Sequence, residues 1–505
     1  MTSLSKNLGC CFDPTRDPDK TAIIDVTDWD NPIEISYAEL DVRCNAVARG
    51  LLKRGLKRGD RVGILSLNSI KNVTVYLGVM RAGLIVVPIS FKLNREIVAH
   101  IVRDADLKLA FCDKERLDVC PPDLPTVSFD DPEGYDAFLD PGPFEPFIPS
   151  GREIGMILYT SGSTGMPKGV LLSHASQLWS IESGLETFGD RSDQRFIVAA
   201  PLFHMNGAMS VKNALAANAS VVLFPSFNAS TYARAIPRFG VTWLTSVPTM
   251  LAMVAREKEL LETLDFSSVT RATMGSAPLT QALFEKVQAI YPNASVSNGY
   301  GTTEAGPAPF GPHPDGIPRP MASVGYPLPG SEMELREGPG PDEGVLYMRN
   351  PMLMEGYNNL PAKTAEVMRD GWYRSGDIMR RDENGFYYFV GRADDMFVVG
   401  GENVWPGEVE RLIERMPGVH QAIVVPVSDA IKGTLPFAFV VPQKGVELTE
   451  SEVKAFTLAN GPAFAHPRFV TFREVIPLAA TNKPDRKLLM HEAEPIAQAS
   501  ERNRA

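Results

Sequence analysis

A chain of 505 residues exceeds what one hydrophobic core organises, so a large domain with at least one smaller companion is expected. Hydrophobic residues at 44%, charged residues at 22%, and 41 Gly and 41 Pro spread along the chain exclude disordered and fibrous classes. A formal charge of −11 with no basic run argues against a nucleic-acid partner, because nothing offers the positive charge that neutralising a phosphate backbone needs.

Residues 1–20 lack the apolar core of a signal peptide. The most apolar internal stretch, Ala208 to Phe224, is broken by Lys212, Asn213 and Asn218, so no membrane span is expected. Cys10, Cys11, Cys44, Cys112 and Cys120 lie at no metal-ligand spacing and make an odd count, which fits reduced thiols in a cytoplasmic protein.

From Arg61 the chain alternates an apolar run (Val62 to Leu67), a helix-periodic stretch (Asn72 to Met80), a second run (Leu84 to Ile89), a second helical stretch (Asn94 to Val102) and a third run (Leu107 to Cys112). That rhythm predicts βαβ units and a mostly parallel sheet. Asp113 to Arg152, rich in Pro, Asp and Gly, reads as surface loop with short strands. Met156 to Tyr159 then reads as a buried strand, and Ser173 as the cap of a helix from His174 to Phe188. Val221 to Phe224, Thr242 to Ser246 and Ala272 to Gly275 continue the strand series, and Ser323 to Val390 has the broken pattern of a small β subdomain. The last hundred or so residues change character again. They carry a Pro406-led helix through Arg415, apolar runs at Ala422 to Val427 and Pro436 to Val441, and a helix near Glu450 to Leu458. The predicted class is α/β: a large multi-subdomain N-terminal region with layered βαβ sheets and a small β subdomain, followed by a small mobile α+β C-terminal domain.

The most informative segment runs from Tyr159 to Gly169. It sets Thr160, Ser161, Gly162, Ser163, Thr164 and Gly165 before Lys168 and Gly169. Glycines let backbone N–H groups approach phosphate oxygens, hydroxyls add donors, and the lysine supplies charge. It is not a Walker A loop, because the G-x-x-x-x-G-K-[ST] order is absent. Further along, Glu304 beside Thr302 and Thr303 offers a hard oxygen ligand of the kind magnesium prefers when it bridges nucleotide phosphates. Tyr300 has a flat face able to stack on a base, and Asp377 can accept hydrogen bonds from paired hydroxyls.

The Tyr159–Gly169 segment resembles the signature of the adenylate-forming superfamily of acyl-CoA synthetases, amino-acid adenylation domains and beetle luciferases. The resemblance continues in order through Gly275-Ser276-Ala277-Pro278, Tyr300-Gly301-Thr302-Thr303-Glu304, Tyr373-Arg374-Ser375-Gly376-Asp377, Gly391-Arg392-Ala393-Asp394-Asp395, Gly400-Gly401-Glu402-Asn403 and Asn482-Lys483. It implies an AMP-forming carboxylic acid–CoA ligase using ATP, Mg2+ and CoA, with residues 1–393 as adenylation domain and 394–505 as mobile C-terminal domain. It assigns the metal to Glu304, the α-phosphate to Thr303, adenine to Tyr300 and to the backbone around Ser276 and Ala277, and the ribose to Asp377 and Arg392. Lys483 is the implied catalytic lysine, Asp394 the hinge, and Gly400 and Gly401 the channel for the CoA arm. Similar enzymes usually carry Gly-Lys where this chain has Asn482-Lys483, which puts the shape of that loop in doubt more than the lysine's role. Gly400-Gly401 also reads as a plain hairpin turn.

The acyl pocket is implied near His204, Met205, Asn206, Met209, Ser297, Asn298, Gly299, Gly306 and Pro307. Amino-acid adenylation domains resemble Pro201 to Gly207 but place Asp after the Phe, where it pairs with the substrate ammonium. Here that residue is His204, and an ammonium buried without a carboxylate would cost on the order of several kcal/mol. Aryl or phenylpropenoid acids and medium-chain fatty acids both stay open. Loading of a carrier protein ranks second, oxidative luciferase-like chemistry third, and a homodimer is left open. A non-catalytic scaffold would predict loss of Lys483, Glu304 or Asp377, and all three are present.

Overall fold

The computed structural model describes residues 5–160, 166–277, 279, 281–399, 402–429, 432–478 and 484–502, with the side chains of 403 and 500–502 excepted. Two compact units divide the chain: residues 1–333 with 347–374, and residues 334–346 with 375–505.

The larger unit holds two seven-stranded sheets. One is built from β3 (Arg61–Leu65), β4 (Ile85–Pro88), β5 (Leu107–Cys112), β6 (Thr126–Ser128), β7 (Ile154–Thr160), β8 (Lys168–Ser173) and the short strand Gly356–Tyr357. The other is built from β1 (Thr21–Asp25), β2 (Ile33–Ser36), β9 (Arg195–Val198), β10 (Ser220–Leu223), β11 (Trp243–Ser246), β12 (Arg271–Gly275) and β13 (Ser295–Gly299). Their central strands are parallel and buried on both faces, which is why they read as unbroken apolar runs. The predicted run Val62 to Leu67 stops as a strand at Leu65, because Leu67 already belongs to the turn where its N–H meets Asp113 Oδ2. The helices α2 (Ile70–Arg81), α3 (Arg95–Asp104) and α4 (His174–Phe188) follow the predicted periodicity. Ser173 caps α4, its hydroxyl accepting the Ser176 N–H. The predicted loop from Asp113 to Arg152 contains β6 and two short helical turns.

The apolar stretch Ala208 to Phe224 becomes α5 (Met205–Ala216) and β10. Lys212 on α5 is buried against Met156 Sδ and the Tyr76 ring, and burial pushes its pKa down to about 8. Among the described residues no helix is long and apolar enough to cross a membrane.

In the smaller unit, strands Val419–Asp429 and Gly433–Pro442 form a long antiparallel pair, and the other edge of Gly433–Pro442 pairs with Phe397–Val399, which continues to Glu402–Val404, and with the parallel Phe469–Phe472. Pro406–Glu414 and Arg486–Arg502 pack on it over Phe437, Phe439, Val424, Ile413 and Leu489. Each fully buried Phe there stabilises the unit by about 1.5–3 kcal/mol.

Candidate functional site

In the larger unit three side chains from distant segments meet where β8 begins. Lys168 opens that strand, and Gly356–Tyr357 pairs antiparallel with it, setting Tyr357 opposite Val170. Lys168 Nζ donates to Tyr357 Oη at 2.9 Å and lies 4.0 Å from the ring centroid. Tyr357 Oη in turn donates to Glu304 Oε1 at 2.9 Å, while Lys168 Nζ and Glu304 Oε1 stand 3.8 Å apart.

Glu304 is fixed by its own loop. Thr302 N–H donates to Gly306 O at 3.0 Å, Ala305 N–H to Thr302 Oγ1 at 2.9 Å, and Met354 N–H to Glu304 O at 2.8 Å. A side chain at Gly301 would collide with the backbone of Pro307, and one at Gly306, where φ is +98°, would collide with Met352. The half-buried Thr303 sits within this loop.

Thr160, the last residue of β7, has a buried hydroxyl with no hydrogen-bond partner among the described residues. An unsatisfied buried hydroxyl costs about 1–3 kcal/mol, a cost that a ligand oxygen would remove. Lys168 lies opposite Thr160 in the antiparallel register of β7 and β8. An ammonium and an orphaned hydroxyl at one hairpin end make a donor set suited to phosphate.

The residues expected at the adenine include those at the carboxyl ends of β12 and β13, where Gly275 stands opposite Gly299 in parallel register. Ligands collect at this edge of parallel sheets. Ser276 follows with φ at +68°, left-handed backbone that a non-glycine residue seldom adopts. Its hydroxyl lies 3.5 Å from Asn206 Nδ2, so α5 and the end of β12 are neighbours here, with Ala277 next in the turn. Asn206 Oδ1 is buried and without a hydrogen-bond partner among the described residues. Met205 and Met209 are buried on the same helix, whereas His204 is exposed just before it, its ring 4.5 Å from that of Phe203. Tyr300 is half-buried, edge-on to Phe310 at 5.9 Å. Ser297 Oγ lies 3.4 Å from Thr273 Oγ1, and Asn298 O accepts from the guanidinium of Arg319. Burial pushes the Arg319 pKa down to about 10, still well above neutral, so this cation stays charged while it is held by the carbonyls of Asn298 and Ser323.

In the smaller unit Asp377 and Arg392 face each other across the hairpin formed by Trp372–Arg381 and Tyr387–Arg392. Arg392 Nη1 contacts Asp377 Oδ1 at 2.8 Å and Nε contacts Asp394 Oδ1 at 2.9 Å; the side chains of Asp377, Arg392 and Asp394 are 7%, 41% and 66% exposed. Burial alone would lower the Arg392 pKa, but the two carboxylates raise it and hold the guanidinium charged.

Ser161, Gly162, Ser163, Thr164, Gly165, Pro278, Gly400, Gly401 and Lys483 lie outside the described residues. The strands flanking Gly400 and Gly401 pair antiparallel, Val399 opposite Glu402. The sequence reading does not single out Tyr357 or Arg319, and neither carries a local signal. Tyr357 lies 189 residues from Lys168 and 53 from Glu304.

No three His, Cys, Asp or Glu side chains converge on a cation site among the described residues. A lone, largely buried carboxylate at Glu304 nevertheless fits magnesium, which is commonly held by one or two carboxylates together with substrate phosphates and water.

Comparison with known proteins agrees with this layout. The family model described as AMP-binding enzyme matches residues 13–358, and that of the AMP-binding enzyme C-terminal domain matches residues 408–483. A feruloyl-CoA synthase of Amycolatopsis sp. is 30% identical, the alignment covering 89% of this chain and 92% of that protein. The fatty acid–[acyl-carrier-protein] ligase ScoC of Streptomyces coeruleorubidus is also 30% identical, covering 91% of each. The crystal structure of the anthranilate CoA ligase AuaEII with anthranoyl-AMP superimposes with a TM-score of 0.89 at 26% identity, covering 98% of this chain and 99% of that one.

Proposed function

Because the chain belongs to the AMP-binding enzyme family and is an AMP-forming acid–CoA ligase, we propose that its residues divide the work of that reaction as follows. A carboxylate is a poor electrophile, since its charge is delocalised and its leaving group would be oxide. Attack of the acid's oxygen on the α-phosphorus of ATP gives an acyl-adenylate and pyrophosphate; attack of the CoA thiol on the acyl carbon then releases AMP. Positioning and charge stabilisation dominate both steps.

Lys168 and Thr160 hold the phosphates, with the loop from Ser161 to Gly165 adding donors. Thr303 faces the α-phosphate. Glu304 would hold magnesium, which supplies charge neutralisation across the phosphates. Tyr300 stacks on adenine, Gly275 to Pro278 line its edge, and Asp377 with Arg392 holds the ribose. Lys483 bridges the acid and the α-phosphate as a compact point charge on a long stem. Asp394 serves as the hinge of a mobile C-terminal domain, and Gly400 and Gly401 pass the CoA arm.

The acid has an apolar body, of the aryl, phenylpropenoid or medium-chain fatty class. The buried Met205 and Met209 beside Asn206 support this, as does the histidine at 204 where an ammonium-binding acid would be needed. The free thiols of all five cysteines, with Cys112 and Cys120 unbridged at 3.4 Å, support a cytoplasmic location.

The observation that carries the reading is the convergence of Lys168, Tyr357 and Glu304 beside the orphaned Thr160 hydroxyl. Pyrophosphate release against a panel of acids, with and without CoA, tests it. A CoA thioester from an aryl or fatty acid is expected; amino-acid-dependent release with no thioester from any acid would overturn it. The likeness to ScoC favours one second reading, transfer to a carrier protein, which predicts adenylation without CoA turnover. Lys483→Ala is expected to lower adenylation by about a thousandfold while sparing thioester formation from supplied acyl-adenylate. Equal loss of both half-reactions would refute that division.

A further inference from the structure

At the amino ends of the second sheet's parallel strands, the register sets Phe196, Trp243 and Arg271 side by side on β9, β11 and β12. Phe196 stacks on the Trp243 indole with ring centroids 4.7 Å apart, so that face of the indole is taken. The end of α4 and the turn after it close over the row: Phe188 meets Trp243 edge-on at 5.9 Å, and Arg191 follows in the turn. The Arg271 guanidinium lies 5.0 Å from the Trp243 ring centroid and 5.4 Å from that of Phe188, and the Arg191 guanidinium lies 5.7 Å and 5.8 Å from the same two rings. Two cations thus share one aromatic pair.

No negative group answers them. Arg191 is 5% exposed, and its Nε and Nη2 are buried without a hydrogen-bond partner among the described residues. Neither arginine forms an ion pair among those residues. Burial and the like charge of Arg271 push the Arg191 pKa down to about 10, which still keeps it charged near neutrality. The aromatic faces attract a cation but cannot accept N–H groups lying in the plane of a guanidinium. Asn213 Oδ1, also buried without a partner, borders the same open space as Arg191 Nη2, the two lying 3.6 Å and 3.9 Å from where a β-carbon on Gly184 would stand. A neutral amide oxygen can take one N–H, but it leaves two like charges together.

We propose that Arg191 and Arg271 form a second anion site, apart from the nucleotide site, in which two planar guanidiniums hold one oxyanion of the phosphate class between them. The site stands at the amino ends of the strands, whereas Gly275 and Gly299 stand at the carboxyl ends, and the length of β12 separates the two by roughly 13 Å. Phe188 is 39% exposed and Arg271 is half-buried, so the pair borders solvent. A bound dianion satisfies the orphaned donors, cancels the repulsion between the arginines and ties the turn after α4 to β12. The chain as a whole carries a formal charge of −11, which repels anions, so an effect of phosphate has to come from a local site.

The test is the melting temperature of the full chain in about 10 mM inorganic phosphate and in sodium chloride of the same ionic strength, which holds screening constant. Phosphate is expected to raise the parent by about 2 °C, and to raise Lys168→Ala as much, since that variant weakens the nucleotide cradle and keeps the arginine pair. Arg191→Met and Arg271→Met, which keep an apolar stem against the rings, are expected to shift by less than about 0.5 °C. In chloride, Arg191→Met is expected to melt no lower than the parent, because it removes a buried cation that nothing satisfies. An absent shift in the parent, a full shift in either arginine variant, or a shift lost in Lys168→Ala would overturn the proposal. So would an Arg191→Met chain that melts several degrees lower in chloride or does not fold, since the guanidinium would then already be satisfied in the free protein.

Discussion

The larger and smaller units each bring a cation and carboxylates together, and they do so in opposite ways. Around Lys168 the carboxylate of Glu304 is reached through a phenol. Around Arg392 two carboxylates are contacted directly, at 2.8 Å and 2.9 Å. The first cluster sets a neutral hydroxyl beside an ammonium and a carboxylate 3.8 Å apart, in a largely buried place where Coulomb attraction is strong. The second has already committed its charge, and with Asp377 buried beneath a half-exposed guanidinium it also braces the hairpin that carries it. One arrangement places a phenol between opposite charges and the other joins them directly.

Substitution should separate them. Glu304→Gln is expected to lower pyrophosphate release by about a hundredfold or more, as removal of a preorganised electrostatic group does, with a melting temperature unchanged within about a degree. Loss of several degrees would mean that the first cluster is a structural brace after all. Arg392→Ala takes the guanidinium away from the buried Asp377 carboxylate. Breaking a fully buried pair costs about 3–5 kcal/mol, and because Arg392 is 41% exposed water takes back much of that, leaving about 1–2 kcal/mol in urea unfolding. The smallest effect belongs to Asp394→Ala, under about 0.5 kcal/mol, since that carboxylate is 66% exposed. A cost equal to that of Arg392→Ala would erase the distinction between the two carboxylates.

Much of the fold was legible because buried parallel strands are written as apolar runs and helices carry their caps with them. The helix 174–188 is announced by Ser173, and a signal of the same kind, the capping box of Ser36 and Glu39, marks α1 (Tyr37–Lys53). What the sequence does not carry is partnership between distant segments. Strands of both sheets look alike, so nothing in residues 21–25 says that β1 pairs with β10 two hundred residues later. The motif residues Lys168 and Glu304 stand out by their neighbours, yet Tyr357, which joins them, follows a plain glycine and is identified only when Gly356–Tyr357 docks on β8. The ends of β12 and β13 show the same limit: Ser276 and Asn206 belong to separate motifs, and only the fold sets them 3.5 Å apart.

The loop that carries Glu304 also bears on how this protein could diversify. Positions 301 and 306 admit no side chain, one for lack of space against Pro307 and the other for both space and backbone geometry. A library randomised across residues 300–307 should therefore return glycine at both, whatever acid is selected for. Under the proposed function, new specificity is to be sought instead on α5, at Met205, Asn206 and Met209, where the substitutions are of side chains and the main chain need not move.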